Sequence, residues 1–402
     1  MNMIKPQTLK GFRDFLPEET RKRQYVINTL KGVFESYGFE PLETPALETL
    51  DLLKGKYGEE EKLIYSFKTR GEREVALRYD QTVPLARVIS QYPELPKPFK
   101  RYQIQNVWRG ERPQKGRYRE FIQCDADTVG SDSPIADAEI ISLVFSIYKA
   151  FELDVVIKIN DRENFVDLDK KYVSAIDKLE KIGESAVLSE MVQKGMTDKN
   201  AKEALLKLQN KELTKNLKRI LEVLKKMGVD MSKIKYEPTL ARGLGYYTGM
   251  IFETITDRSS GSICSGGRWD KMIGNFSGED QPAVGFGLGF DRTIEVLEEQ
   301  NLIPNLPPST KVLVTIFSKE LKQQSLDCSM LLRSAGVSTE LYLGENAKIE
   351  KQLKYADQKG IPYVVIIGPD EASKNSVTLK NMEMKEQKAI SQEELVKELK
   401  NN

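Results

Sequence analysis

The chain has 402 residues, enough for two or three domains, and its 61 Lys and Arg against 60 Asp and Glu leave a net charge of +1. That balance excludes a cationic coat for indiscriminate nucleic-acid binding, though not local basic surfaces. The total absence of histidine excludes a histidine general base, a Ser-His-Asp or Cys-His nucleophile and a histidine metal ligand. The remaining chemistry belongs to Arg, Lys, Tyr, carboxylates, backbone dipoles or oxygen-bound Mg²⁺, which suits substrates that carry their own charge. Cys124, Cys264 and Cys328 are scattered, form no CxxC pair and predict a reducing compartment rather than a disulfide or zinc framework. The start, MNMIKPQTLKGFRDF, has no apolar stretch of the signal-peptide kind, so a cytoplasmic location is expected.

In chain order, Val26, Leu30, Val33, Phe34 and Tyr37 recur at helical spacing and predict a helix over about 18–37, stopped by Gly38. Phe39 to Pro45 reads as extended. Strands are expected at Lys62–Lys68, Glu74–Arg78 and Gln103–Arg109, spaced as in an antiparallel sheet. A helix is expected over Pro134–Phe151, with Ile135, Ala138, Ile141, Val144 and Tyr148 in register, and a strand over Val155–Asn160. Residues 163–235 turn to Lys, Glu, Leu and Met with a positive excess. That stretch reads as a helical insertion, either a solvated bundle or a nucleic-acid contact surface. Strands and a last helix return over 239–299. Residues 303–309, with three prolines, form a linker. Beyond it strand and helix alternate: Val312–Phe317, Leu321–Ala335, Ser338–Leu343, Ala347–Lys359, Tyr363–Ile367 and Val377–Lys380. This is the pattern of a small α/β domain with a largely parallel sheet.

Four stretches could carry chemistry. In Val107–Phe121, a hairpin interleaves Arg109, Arg112, Lys115, Arg117 and Arg119 with Trp108, Tyr118 and Phe121. Guanidinium forks match phosphate oxygens and an aromatic face can stack a base, but a basic surface hairpin fits the same residues. Leu240–Gly249 joins glycines to the pair Tyr246-Tyr247, either as a structural turn or as a pocket wall. Pro282–Arg292 places glycines at alternate positions of a strand that runs into a helix. Its GxGxG spacing is not the dinucleotide GxGxxG and opens no βαβ unit, so that reading is excluded. In Leu77–Arg87, Asp80 and Thr82 stand where a strand ends and a helix begins, able to cap the helix or to hold a ligand ammonium.

The order and spacing of these stretches resemble the class II aminoacyl-tRNA synthetases and, within them, the histidyl-tRNA synthetase family, from Lys10-Gly11-Phe12-Arg13-Asp14 to about Gln387. Phe39–Glu48 resembles motif 1, the dimerisation element. Val107–Phe121 with Ile122-Gln123-Cys124-Asp125-Ala126-Asp127 resembles motif 2, and Pro282–Arg292 motif 3. Leu77–Arg87 and Leu240–Gly249 resemble the two stretches peculiar to the histidine enzymes. The resemblance implies an α+β catalytic domain, an antiparallel sheet of six or seven strands flanked by helices, over 1–162 and 236–302. It also implies the insertion at 163–235 and a small α/β anticodon-binding domain over 310–402.

The implied reaction joins L-histidine and ATP to histidyl-adenylate and pyrophosphate, then moves the histidyl group to tRNA(His). By resemblance, Arg109 and Arg242 are the catalytic residues at the α-phosphate. Arg109, Glu111, Arg117, Phe121 and Arg292 bind ATP, with Mg²⁺ bridging its phosphates. Asp80, Thr82 and Gln123 hold the α-amino group of histidine, while Asp127, Tyr246 and Tyr247 line its imidazole pocket. Arg112 and Gln114 meet the tRNA, and the protein is a homodimer. The chain departs from the family pattern at Gly110, where a basic or imidazole residue is common, at Gly245 for Asp, Trp269 for Tyr and Asp291 for Glu. A competing implication is a non-catalytic paralogue, the regulatory subunit of ATP phosphoribosyltransferase, which lacks the anticodon domain and usually degrades the catalytic arginines.

Overall fold

A computed structural model of the protein describes residues 5–56, 58–113, 116–242, 245–257, 261–344 and 348–401. The chain divides into two compact units, Met1–Pro304 and Asn305–Asn402, and the division falls inside the proline-bearing stretch 303–309.

The first unit contains strands β1 (Glu40–Pro41), β2 (Leu47–Thr49), β3 (Ser66–Lys68), β4 (Glu74–Leu77), β5 (Phe99–Trp108), β6 (Glu120–Val129), β7 (Val156–Asp161), β8 (Ile234–Tyr236), β9 (Met250–Ile255), β10 (Cys264–Arg268) and β11 (Ala283–Gly289). The main sheet has the order β1-β5-β6-β11-β10-β9-β7-β8, and β2-β4-β3 form a small sheet of their own. The six central strands of the main sheet are antiparallel, as the spacing of short strands predicts. The sheet exceeds the expected six or seven strands because short segments add at both edges, β1 on β5 and β8 on β7, each in parallel. Both reach the sheet by long connections, which is what parallel pairing requires.

Helices cover one face. Pro17–Ser36, Pro134–Ala150, Lys215–Lys226 and Phe290–Glu299 bury Leu30, Phe34, Ile141, Val144, Ile220 and Leu297 against Cys124, Ala126, Phe252, Phe286 and Leu288 of the sheet. Each such side chain stabilises the unit by about 1.5–3 kcal/mol. Ile135, expected on the buried stripe, is instead 57% exposed at the first turn of its helix. Residues 62–63 end a 3₁₀ turn, Gly58–Leu63, and only Ser66–Lys68 is strand. Within the expected insertion, helices between Lys170 and Gln209 gather around Val173, Val187, Met191 and Leu205, a cluster that continues onto Ile251 of β9. Its last helix, Lys215–Lys226, packs in the main core, and β8 completes the main sheet.

The second unit has the strands Thr339–Leu341, Val312–Val314, Tyr363–Ile366, Ser376–Asn381 and Gln387–Ser391 in that order. The first three are parallel and the last two antiparallel. The final strand and the helix Gln392–Asn401 were not legible as elements. The helix expected from Ala347 runs over Ile349–Lys359, and Ala347 lies outside the described residues.

One buried ion pair ties the sheet to its helices. Arg268, at the end of β10, meets both oxygens of Asp137 in the first turn of Pro134–Ala150, at 3.0 and 2.6 Å. Both side chains are at least nine-tenths buried. Removing one partner leaves the other charge stranded. Asp137→Ala should therefore lower stability by about 3 kcal/mol, the low end for a broken buried pair because Arg268 keeps Ser131 and Asp270. A thermal or denaturant melt of the variant checks it.

Candidate active site

The face of the sheet opposite the helices carries a cavity of about 500 Å³. Its floor follows from strand alternation. On β6, Cys124 and Ala126 enter the helix-covered core, so Gln123, Asp125 and Asp127 all point the other way and line the cavity. Register sets β11 alongside, with Gly285 opposite Asp127 and Gly287 opposite Asp125. Those glycines make room. A Cβ on Gly285 would lie 1.9 Å from Asp127 Oδ1 and 2.6 Å from the Ala126 carbonyl.

On its other side β6 pairs with β5, placing Arg101 across from Asp127 and Gln103 across from Asp125. Arg101 is fully buried and its guanidinium lies 2.7 Å from Asp127 Oδ2. Trp269, just past β10, donates from Nε1 to Asp127 Oδ1 at 3.1 Å. Burial raises the carboxyl pKa of Asp127, while Arg101 and the Trp269 hydrogen bond pull it back down. Asp125 is also buried and accepts from Gln123 Nε2 at 3.0 and 2.7 Å. Burial, against the pull of Arg101, pushes it up to about 7.

The helix Thr82–Gln91 enters this wall through Gln81, whose Nε2 donates to the Gln105 and Gln123 carbonyls at 3.0 and 2.9 Å. Thr82 lines the cavity and Asp80 does not. Asp80 Oδ1 accepts from the Val83 amide at 3.1 Å, the capping role that the sequence left open. Its charge is nonetheless felt at both Asp125 and Asp127. Tyr246 and Tyr247 line the cavity with ring centroids 4.4 Å apart. Burial holds the Tyr247 phenol well above its usual range, so it remains a hydroxyl donor.

The other end of the cavity is basic. Arg109, leaving β5, donates from Nε to the Tyr79 carbonyl at 3.1 Å and from Nη2 to Gln123 Oε1 at 3.4 Å. Its guanidinium lies over the rings of Tyr79 and Phe121 at 4.5 and 5.2 Å. Arg242 is held at 2.8 Å by Glu253, a buried carboxylate on β9. Arg292 donates to the Ser262 carbonyl at 2.6 Å, and burial together with the charges of Arg117 and Arg242 lowers its pKa. Arg117 faces Glu111 at 3.6 Å. Arg109, Glu111, Arg117, Phe121, Arg242 and Arg292 thus share one cavity. Arg112 is exposed outside it and Gln114 lies outside the described residues.

Sequence reasoning assigned no role to Arg101, Asp125 or Glu253. The alternation in Arg101-Tyr102-Gln103-Ile104-Gln105 and Gln123-Cys124-Asp125-Ala126-Asp127 was the available signal, since polar residues fall at every second position of both stretches. Nothing in the chain near Glu253 marks it in advance. Two departures have contrasting outcomes. Gly110 donates its amide to the Leu63 carbonyl at 2.7 Å, and a Cβ there would stand 3.1 Å from that oxygen. Nothing in the structure explains Gly245.

An antiparallel sheet with helices on one face and, on the other, a cleft of clustered arginines and a stacking aromatic defines a class II aminoacyl-tRNA synthetase core. The family model for histidyl-tRNA synthetase matches residues 11–293, and that for an anticodon binding domain matches 311–402. A histidine–tRNA ligase from Cytophaga hutchinsonii is 39% identical across 99% of this chain and 100% of its own length. One from Gloeobacter violaceus is 40% identical, across 95% and 96%. The crystal structure of histidyl-tRNA synthetase from a Nostoc species superposes with a TM-score of 0.85 at 33% identity, covering 99% of this chain and 100% of that one. The chain belongs to the histidyl-tRNA synthetase family, whose members are aminoacyl-tRNA ligases that use ATP as a substrate.

The elevated Asp125 carboxyl gives a pH-dependent prediction. Unfolded, it ionises near 3.9; folded, near 7. Between these values the folded protein holds a proton that the unfolded chain does not. The favourable linkage is therefore present at low pH and lost as pH rises through 7. Asp125→Asn, which still accepts from Gln123, should raise the ligand-free melting temperature at pH 8, by no more than about 4 kcal/mol in stability. The gain should vanish below about pH 4. Calorimetry across that range checks it.

Proposed function

We propose that this chain activates L-histidine with ATP and transfers it to the 3′ end of tRNA(His). The observation that carries the reading is the division of one cavity into a basic end, Arg109, Arg117, Arg242 and Arg292, and an end floored by Asp125 and Asp127. A polyphosphate fits the first, and an ammonium with a ring N–H fits the second.

In the first step an oxygen of the histidine carboxylate attacks the α-phosphorus. That P–O bond forms as the bond to the β-phosphate oxygen breaks, and pyrophosphate leaves with the electron pair. No proton moves, so no general base is needed and a chain without histidine can run it. Arg109, tethered by Tyr79 and Gln123, neutralises the carboxylate and α-phosphate as they meet. Arg242, tethered by Glu253, stabilises the developing charge. Phe121 and Arg292 sandwich the adenine, Glu111 accepts from its amino group, and Arg117 meets the terminal phosphates. Thr82 and Gln123 hold the α-amino group, with Asp80 as the nearby negative charge. Asp127 accepts from one imidazole nitrogen and Tyr247 donates to the other, and Tyr246 closes the same pocket. An analogue lacking either nitrogen leaves a buried polar group unpaired, so discrimination needs no editing step.

Among the described residues no three carboxylates or thiols converge as a metal site. Magnesium enters with the nucleotide, as MgATP. Arg112, exposed at the hairpin, and Gln114 meet the tRNA acceptor end, and the second unit reads the anticodon. The chain acts as a cytoplasmic homodimer through the segment Phe39–Glu48, where Leu47 is exposed. The presence of Arg109, Arg242 and Arg292 in one cavity, and of the second unit, favours the enzyme over the regulatory paralogue.

ATP–pyrophosphate exchange with each of the twenty amino acids tests the reading. Exchange with histidine alone is expected, and none with any amino acid would return the chain to the paralogue reading. Arg109→Ala should reduce exchange by about 10²–10³-fold. Arg242→Ala should reduce it similarly and also destabilise, because Glu253 is left buried and unpaired. Adding Glu253→Gln should recover the melting temperature but not the rate, which separates catalysis from stability.

A further inference from the structure

Asp127 is held from three sides. Arg101 approaches Oδ2 at 2.7 Å, Trp269 Nε1 donates to Oδ1 at 3.1 Å, and the bare backbone of Gly285 lies against Oδ1, where a Cβ would stand 1.9 Å away. Trp269 is itself enclosed. Only 1% of it is exposed, its amide donates to the Ala283 carbonyl at 2.7 Å, and its ring packs among Leu53, Val129, Met272 and Ile273. It nevertheless lines the cavity beside Tyr247, Asp125 and Asp127. The indole therefore fixes the plane of the carboxylate and leaves its remaining lone pairs aimed from a set position.

We propose that Trp269 is a positioning residue that sets affinity for the substrate imidazole by orienting Asp127 as an ionised acceptor. The proposal rests on the histidine-activating reading above and adds to it the means by which a short aspartate side chain is held in place. The charge argument agrees with the geometry. Asp127 faces Arg101 from β5, Asp80 from the start of the helix Thr82–Gln91, Trp269, Asp125 on its own strand and the hydroxyls of Tyr246 and Tyr247. Burial and Asp80 favour its protonated form, whereas Arg101 and the Trp269 N–H favour the ionised one. Once protonated, the carboxyl turns a donor toward the imidazole nitrogen that must itself donate. Loss of the indole N–H should thus weaken histidine binding most at low pH.

Histidine-dependent ATP–pyrophosphate exchange of the full chain, wild type against Trp269→Phe from pH 6 to 9, tests this. The variant keeps an aromatic body and loses the N–H. The expected result is a rise of about tenfold in KM for histidine at pH 8, the scale of one hydrogen bond to a charge. That rise should grow toward pH 6, with kcat and KM for ATP within about twofold. The substrate's own imidazole titration is common to both proteins and cancels in the ratio. A KM for histidine unchanged at every pH, or one rising in step with KM for ATP, overturns the proposal. Wild-type protein that shows no exchange with histidine overturns the underlying reading instead. A second measurement leaves Trp269 in place. The chain has two tryptophans, Trp108 and Trp269, hence two indole N–H resonances, told apart with Trp108→Phe. Histidine without ATP should shift the Trp269 resonance, and a resonance unmoved at saturation also overturns the proposal.

Discussion

A guanidinium with no access to solvent, that of Arg101, lies across the strand pair from Asp127, and the acidic end of the cavity depends on it. Two carboxylates at alternate positions of one strand, with a third nearby, could not be buried together without a counter-charge in the same layer. Register supplies it, since pairing of β5 with β6 sets Arg101 opposite Asp127. The bare strand β11 then leaves the space that the carboxylates need. A slip of one residue between β5 and β6 would turn Arg101 into the helix-covered core and strand the acids. Fold and site are therefore one constraint, because the alternation that builds the hydrophobic core also faces the charges toward the ligand.

The same economy appears at the basic end. Three of the four arginines there are tethered before any substrate arrives, Arg109 by a backbone carbonyl, Arg242 by Glu253 and Arg292 by the Ser262 carbonyl. Tethering limits the rotamer freedom lost when phosphate binds, and mutual repulsion among Arg117, Arg242 and Arg292 is relieved by an anion. A chain of nearly zero net charge thus contains a steep local field, which bulk composition cannot reveal.

Much of this was legible beforehand. Helical spacing at Val26, Leu30 and Phe34 and at Ala138, Ile141, Val144 and Tyr148 marks side chains that are fully buried. The hairpin of β5 and β6 and the glycine strand entering the helix at Phe290 follow from local turn and glycine signals. What escaped depends on partners distant in sequence. Arg101 and Glu253 look like ordinary strand charges until the fold places them against Asp127 and Arg242. Ile135 looks buried until the helix start turns it outward. The edge strands β1 and β8 are too short for any periodicity. Asp80 shows the limit for the site itself: the sequence offered two roles, and the geometry displays the capping one while leaving its charge beside the floor.

Gly285 has a consequence for anything designed to occupy the cavity. Any side chain at this position collides with the Ala126 carbonyl as well as with Asp127, so a substitution that altered the floor would also force the strands apart. Drug resistance by point mutation needs a residue that can change while the target still works. An inhibitor that takes its affinity from contact with this stretch of bare main chain meets a surface with no side chain to vary, and escape would have to come from the rim of the cavity rather than its floor.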